Sequence, residues 1–164
     1  MGSVVSIREQ VLELHERLER TARCVKPEAL HWRPEEQAWS VAQILAHIAE
    51  FEHFFSSDVL NLKQHPGARF GRTMEHPERL QAVELTGDET LDTLLDGVHR
   101  GKHEVLAMLD ALTDEDLAIE GTHPKFGTRT IEWEIGHFIT EHIEKHIGQV
   151  ERTYAAYCKT AERA

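Results

Sequence analysis

The sequence contains few cysteines, few aromatic side chains and fewer basic than acidic residues. Only two of its 164 residues are cysteine and 7% are aromatic, while 18 Lys and Arg stand against 29 Asp and Glu, for a formal net charge of −11. Two distant cysteines, Cys24 and Cys158, make no disulfide framework and are typical of a reducing cytoplasm. Because a nucleic-acid groove needs clustered basic side chains, the acidic composition predicts that the protein has no nucleic-acid partner.

The sequence also lacks a long hydrophobic run. No apolar stretch approaches the roughly 20 residues of a membrane span, and the N-terminus lacks the basic-then-apolar pattern of a secretory leader. We therefore expect a cytoplasmic protein with no membrane partner. A chain of 164 residues is about the size of one domain, so we expect a single domain over residues 1–164.

Four segments have the periodicity of amphipathic helices, and no run alternates as a strand does. The first starts at the capping-box sequence Ser6–Glu9 and ends near residue 26, and the second starts at Ser40, with Gln43 completing its box, and ends near residue 62. The third runs from about 86–89 to 112 and the fourth from about 130 to 157, while residues 64–86 and 121–127 are rich in turn-forming Pro and Gly. This predicts an all-α fold, a four-helix up-and-down-type bundle with a long crossover between helices 2 and 3.

Histidine is abundant in this sequence, with 12 residues in the chain. At 100° per residue, His142 and His146 fall within about 30° of the centre of the apolar stripe of the fourth helix. His47 lies at the flank of the stripe of the second helix, whereas His99 and His103, which have the same spacing as His142 and His146, face water on the third. The sequence therefore predicts one inward-facing pair of histidines and a third within reach.

Three inward imidazoles are typical of a metal site. We interpret His47, His142 and His146 as ligands of one divalent ion, such as Zn, Ni, Co or Fe, because three protein ligands leave positions open for a substrate. Glu50 and Glu141 are the candidates for accepting the free ring N–H of a ligand. The alternative is a set of core histidines that hydrogen-bond to other side chains without a metal. His31, Arg69, Arg72 and His123 are loop residues that could cover a site at the end of the bundle.

A carboxylate di-iron centre is a rival interpretation, because such centres in helical bundles use two Glu-x-x-His motifs. The chain has Glu50 with His53 and Glu134 with His137 at that spacing. Both histidines fall opposite the apolar stripes of their helices, and we therefore predict that neither binds a metal.

Three stretches of the sequence resemble the DinB-like superfamily. They are LHWRP at 30–34, AWSVAQILAHI at 38–48, and EHIEKHIGQV at 141–150, which matches the closing His-x-x-x-His-x-Gly-Gln signature of the family. The resemblance implies a four-helix bundle, often a homodimer, with a metal on one histidine of the second helix and two of the fourth, here His47, His142 and His146. His137 departs from the family pattern because it stands five residues before His142, where a histidine four before is usual.

The resemblance implies a metal-dependent enzyme, since relatives include thiol S-transferases, a thiol-dependent isomerase and hydrolases. We expect thiol S-transfer to a small electrophile, with a low-molecular-weight thiol as partner and no identified catalytic base. The alternatives are a metal-dependent hydrolase and a non-catalytic, stress-related dimer that binds a metal or ligand.

Overall fold

A computed structural model describes residues 2–163, and within them four long helices form a bundle. The long helices are α1 (Val4–Arg23), α2 (Val41–Gln64), α4 (Leu91–Asp110) and α6 (Glu141–Glu162). The shorter helices are α3 (Pro77–Gln81) and α5 (Ile131–Ile135), with 3-10 turns at Pro27–Ala29 and Glu115–Ala118 and a π-helical turn at Gly136–Thr140. The predicted four-helix bundle is confirmed.

The core lies between the apolar stripes of the long helices. Helix α2 packs along α4 and against α6, and α1 contacts both α4 and α6. Fully buried members of this core are Leu18, Ile44, Phe55, Leu109 and Ile135. Burial of these side chains removes apolar surface from water, which is the main favourable contribution to folding. None of the helices in residues 2–163 is long and apolar enough to span a membrane.

Side-chain caps fix where the long helices begin. Ser40 accepts a hydrogen bond from the backbone N–H of Gln43, and the Gln43 side chain accepts one from the Ser40 N–H, as predicted. The predicted start of α1 is wrong: the capping pair is Ser3 with Ser6, so the helix begins at Val4. Ser6 is the third residue of the helix, and its hydroxyl bonds back to Ser3.

A β-hairpin stands where the sequence predicted only a loop. Strand β1 (Glu120–His123) pairs antiparallel with β2 (Gly127–Thr130). The strands have four residues each and contain one glycine each, so their sequences show no alternation of apolar and polar residues, although burial alternates along β1. Gly121 permits a close approach, since a Cβ there would lie 2.6 Å from the Leu62 side chain and 2.7 Å from the carbonyl oxygen of Ala68.

The segment between α2 and α4 is the predicted long crossover, with only the five-residue helix α3 inside it. It is tied to the hairpin, because Phe70 donates its N–H to the carbonyl of Thr122 at 3.1 Å and Thr122 donates to Ala68 at 3.0 Å. Gly71 has φ +77° and donates its N–H to Asp58 on α2 at 2.7 Å. These bonds hold the crossover over one end of the bundle.

Candidate metal centre

Three histidines from two helices converge between α2 and α6. The Nε2 atom of His142 lies 3.0 Å from the Nε2 of His47 and 3.0 Å from the Nε2 of His146. The ligand atoms of all three residues lie within 4.8 Å of one another. The three histidine rings that were predicted to share a site therefore lie close together.

Local structure explains how α2 aims His47. Because Ser40 fixes the first turn of α2, His47 lies two turns into the helix on its buried side, with 1% of its surface exposed. Trp39, just before the cap, packs against His47 with 4.7 Å between ring centroids and against His146 at 6.3 Å. One indole thus supports rings from both helices.

His142 is held by an aromatic neighbour. Phe51, one turn after His47 on α2, stacks on the His142 ring with 3.7 Å between centroids and 7° between planes. This stacking restricts rotation of the imidazole and places its Nε2 between those of His47 and His146.

His146 is oriented by Gln149, one turn further along α6. The Nδ1 of His146 lies 2.6 Å from the Oε1 of Gln149. Since an amide oxygen only accepts hydrogen bonds, Nδ1 must carry the proton, and the Nε2 lone pair is left free to face the other two rings. Gln149 was not predicted as a site residue, although it belongs to the His-x-Gly-Gln signature.

All three rings are neutral near pH 7. Burial, together with the positive charges of His146, when protonated, and of Arg79, lowers the pKa of His47 from 6.5 to about 2. Burial also holds the pKa of His142 well below its usual value and lowers that of His146, where the Gln149 bond opposes the shift. Neutral imidazoles offer lone pairs, which are what a metal ion binds.

The donor set fits a divalent ion. Without an ion, hydrogen bonds do not satisfy both contacts, because the Nε2 of His146 is unprotonated. A proton on the Nε2 of His142 would have to be shared between His47 and His146, each at 3.0 Å. Without that proton, the lone pairs of His142 and His146 would face each other. A tetrahedral ion with bonds of about 2.0–2.1 Å to nitrogen needs ligand atoms about 3.3 Å apart, which small ring rotations supply. The Nδ1 atoms of His47 and His142 are buried without a hydrogen-bond partner among residues 2–163.

The triad opens into a cavity of about 1070 Å³ between α2, α6, the crossover and the hairpin. Its apolar wall includes Phe51, Phe55 and Phe138. A cavity of this volume admits a small organic molecule, and polar groups at its inner end fix the orientation of such a ligand.

Several predicted residues lie around this cavity in other roles. Arg72 and His123, predicted as loop residues that cover the site, both line it. Glu50 makes a two-bond ion pair with buried Arg72, at 2.7 and 2.5 Å. Glu141 lies on the cavity wall with its carboxylate 3.4 Å from Nδ1 of His137. Neither glutamate contacts a ring of the triad among the described hydrogen bonds.

Other loop and helix histidines lie outside the triad. His31 contacts the carbonyl of Glu89 at 2.8 Å. His53 is exposed beside Glu104. On α4, His103 is exposed as predicted, whereas His99 is half-buried and contacts Glu19 of α1 at 3.1 Å. The phase prediction for His137 is wrong, since this ring lines the cavity and stacks on Trp133 at 4.7 Å. The π-helical turn at Gly136–Thr140 shifts the helix phase that the prediction assumed to be constant.

Comparison with known proteins identifies a family whose model matches most of the chain. The model of the DinB superfamily matches residues 10–150. No functionally curated protein matches the sequence.

Solved structures share the fold at low sequence identity. YfiT from Bacillus subtilis, described as a probable metal-dependent hydrolase with an unusual four-helix bundle topology, is 17% identical over 91% of this chain and 86% of its own, with a TM-score of 0.71. A second structure, described as a four-helix bundle protein, is 15% identical over 91% of this chain and 98% of its own, with a TM-score of 0.65.

A further similar structure corrects the prediction about nucleic acid. The colibactin self-resistance protein ClbS, in complex with a double-stranded DNA, is 12% identical over 93% of this chain and 95% of its own, with a TM-score of 0.69. The exclusion of nucleic acid was therefore wrong. It rested on a net charge summed over the whole chain, whereas contact with phosphates depends on where basic side chains cluster.

Proposed function

Since this chain belongs to the DinB superfamily, we propose that it is a metal-dependent enzyme that transfers a low-molecular-weight thiol to a small electrophile. The observation that carries the proposal is the convergence of three neutral imidazole nitrogens at the inner end of a cavity. His47, His142 and His146 would hold a divalent ion, with zinc, nickel and iron as the candidates. A divalent ion supplies Lewis acidity, lowering the pKa of a coordinated thiol or water toward neutrality.

The protein side chains prepare the site for this chemistry. Gln149 keeps the proton of His146 on Nδ1, and Phe51 and Trp39 hold the rings of His142 and His47. The aromatic wall offers apolar surface to an electrophile. A nucleophile positioned beside a bound electrophile reacts faster because the two groups no longer have to meet in solution.

Metal-assisted hydrolysis is the second candidate. It is favoured by the description of YfiT as a probable metal-dependent hydrolase. The same three ligands serve either reaction, and the difference lies in whether a thiol or water reaches the open coordination positions.

The first experiment measures metal per chain in protein purified without a histidine tag. We expect about one equivalent of divalent metal in the natural sequence and its loss in the double variant His142→Ala/His146→Ala. The matched control is His99→Ala/His103→Ala, which removes a pair of the same spacing on α4 and should keep the metal. Stoichiometric metal in the first variant would refute the site.

The second experiment separates the reactions. Metal-loaded protein is assayed with a panel of low-molecular-weight thiols and 1-chloro-2,4-dinitrobenzene, and in parallel with activated esters and amides in the absence of thiol. Thioether formation that disappears in His142→Ala/His146→Ala supports transfer. Turnover only in the ester or amide assay supports hydrolysis, and no turnover in either assay refutes both proposed activities for these substrate classes.

A further inference from the structure

The cavity has a charge opposite to that of the chain. The whole sequence has a formal net charge of −11. Among the charged side chains that line the cavity, five are basic and two are acidic. They are Arg72, Arg79, Lys125, Lys145 and Arg152, against Glu75 and Glu141. An excess of basic side chains at one concave site in an acidic protein indicates attraction of an anion there.

Most of these basic groups have no acidic partner. Arg72 is neutralised by its ion pair with Glu50. Arg79, Lys125, Lys145 and Arg152 have no carboxylate within 4.0 Å among residues 2–163. The basic side chains of the lining therefore outnumber its two acidic residues, and the rim of the cavity keeps unpaired positive charge.

Arg79, on α3, is connected to the triad through Trp39. Its guanidinium carbon lies 5.7 Å from the ring centroid of Trp39, the same indole that packs on His47 at 4.7 Å. It donates one hydrogen bond, from Nη1 to the carbonyl of Met74 at 3.1 Å. The other N–H groups of its fork have no protein acceptor among the described hydrogen bonds.

Burial makes this arrangement costly without a ligand. Arg79 is half-buried, and loss of water around it lowers the pKa of its guanidinium. An arginine stays charged in proteins, so the charge remains in a partly dry site where Glu50 and Glu75 act on it only from beyond 4.0 Å. A planar guanidinium with free N–H groups matches the two oxygens of a carboxylate or phosphate.

We propose that the cavity selects an anionic small-molecule substrate, whose carboxylate or phosphate group is bound by Arg79 while its reactive end faces the three histidines. Lys145, on α6 between His142 and His146 in sequence, adds positive charge at the rim. The orientation of the substrate rests on the proposed function. The preference for an anion rests only on the charges of the cavity.

The test uses three thiols of similar size and different charge on the cobalt-loaded full chain. These are 3-mercaptopropionate, which is anionic, 2-mercaptoethanol, which is neutral, and cysteamine, which is cationic. Binding is followed by the cobalt–thiolate absorption band. We expect the anionic thiol to bind about tenfold more tightly than the neutral one, and cysteamine to bind most weakly.

Arg79→Ala should reduce the preference for 3-mercaptopropionate about three- to tenfold and leave the dissociation constant of 2-mercaptoethanol unchanged. The unchanged neutral thiol shows that the fold and the metal site are intact. Arg100→Ala is the control, because Arg100 is exposed on α4 and does not line the cavity. Equal affinities of the anionic and neutral thiols, or an unaltered preference in Arg79→Ala, would overturn the proposal.

Two further measurements separate this proposal from others. Calorimetry of succinate and of inorganic phosphate with metal-free protein reports anion binding even where cobalt fails to bind, so the proposed function can fail while this inference stands. A short DNA duplex is titrated in parallel. If Arg79→Ala weakens binding of the duplex and leaves small anions unaffected, the cations contact nucleic acid and the small-molecule proposal is refuted.

Discussion

A buried carboxyl group on α5 gives a quantitative test of the structure. Glu134 has no exposed surface, and neither carboxyl oxygen has a hydrogen-bond partner among residues 2–163. Burial, together with the neighbouring Asp58 carboxylate, raises the pKa of Glu134 from 4.5 to about 11. Glu134 is therefore a neutral acid at pH 7, and we take Glu134→Gln as the perturbation because it keeps the shape and the neutral state.

The sign and size of the effect follow from proton linkage. Above pH 4.5 the unfolded chain ionises Glu134 while the folded chain keeps the proton, so the stability that this group contributes falls as pH rises from 4.5 toward 11. Each pH unit in that window lowers the free energy of unfolding by about 1.4 kcal/mol. Glu134→Gln removes this loss, so its advantage should be small near pH 5 and reach about 3 kcal/mol at pH 7.

The assay is urea unfolding of both proteins at several values between pH 5 and pH 8, with the difference in free energy of unfolding plotted against pH. Taking the difference cancels the titration of the groups that do not interact with Glu134. Glu151→Gln is the control, since Glu151 is exposed on α6 and should give a flat difference. A flat difference for Glu134→Gln as well would show that the carboxyl group is ionised in the folded protein, and the reasoning from burial would be wrong.

Three other predictions concern the ligand shell and the fold. Gln149→Leu removes the acceptor that holds the His146 proton on Nδ1, so zinc affinity measured by chelator competition should fall by about tenfold or more; unchanged affinity would contradict this. Ser40→Ala removes the cap of α2 and should lower the free energy of unfolding by about 1 kcal/mol in urea titrations, with metal content unchanged. Gly121→Ala forces a Cβ against the Leu62 side chain and should destabilise by about 1–3 kcal/mol in thermal unfolding, whereas Gly136→Ala, with nothing within 4 Å of its Cβ, should not.

The bundle and the triad were predictable because their signals are local. The capping box at Ser40 fixes the start of α2, and counting residues from there places His47 near the core. His142 and His146 lie one turn apart on α6, so any phase that buries one buries the other. Periodicity carries this information within each helix without knowledge of the rest of the fold.

Contacts between residues that are distant in the sequence could not be predicted from such local signals. Glu50 stands three residues after His47, which made it a candidate partner of a ligand ring, yet its carboxylate binds Arg72 from the crossover. The hairpin depends on contact between Gly121 and the end of α2, and nothing in its short strands signals this. Such contacts depend on how loops fold back on the bundle, which one sequence does not encode as a pattern.

The π-helical turn explains why phase arguments failed at His137 and succeeded at the triad. In a π-turn the backbone bonds reach five residues instead of four, so one residue is taken up without a matching advance of the helix. Thr140 spans this turn with a hydroxyl bond to the carbonyl of Gly136 at 3.0 Å. His137, five residues before His142, is therefore brought toward the position that the residue four before His142 would occupy in a regular helix. There His137 lines the cavity. His142 and His146 follow the turn and keep their mutual spacing, so the irregularity changes the wall of the cavity and leaves the geometry of the pair unaltered.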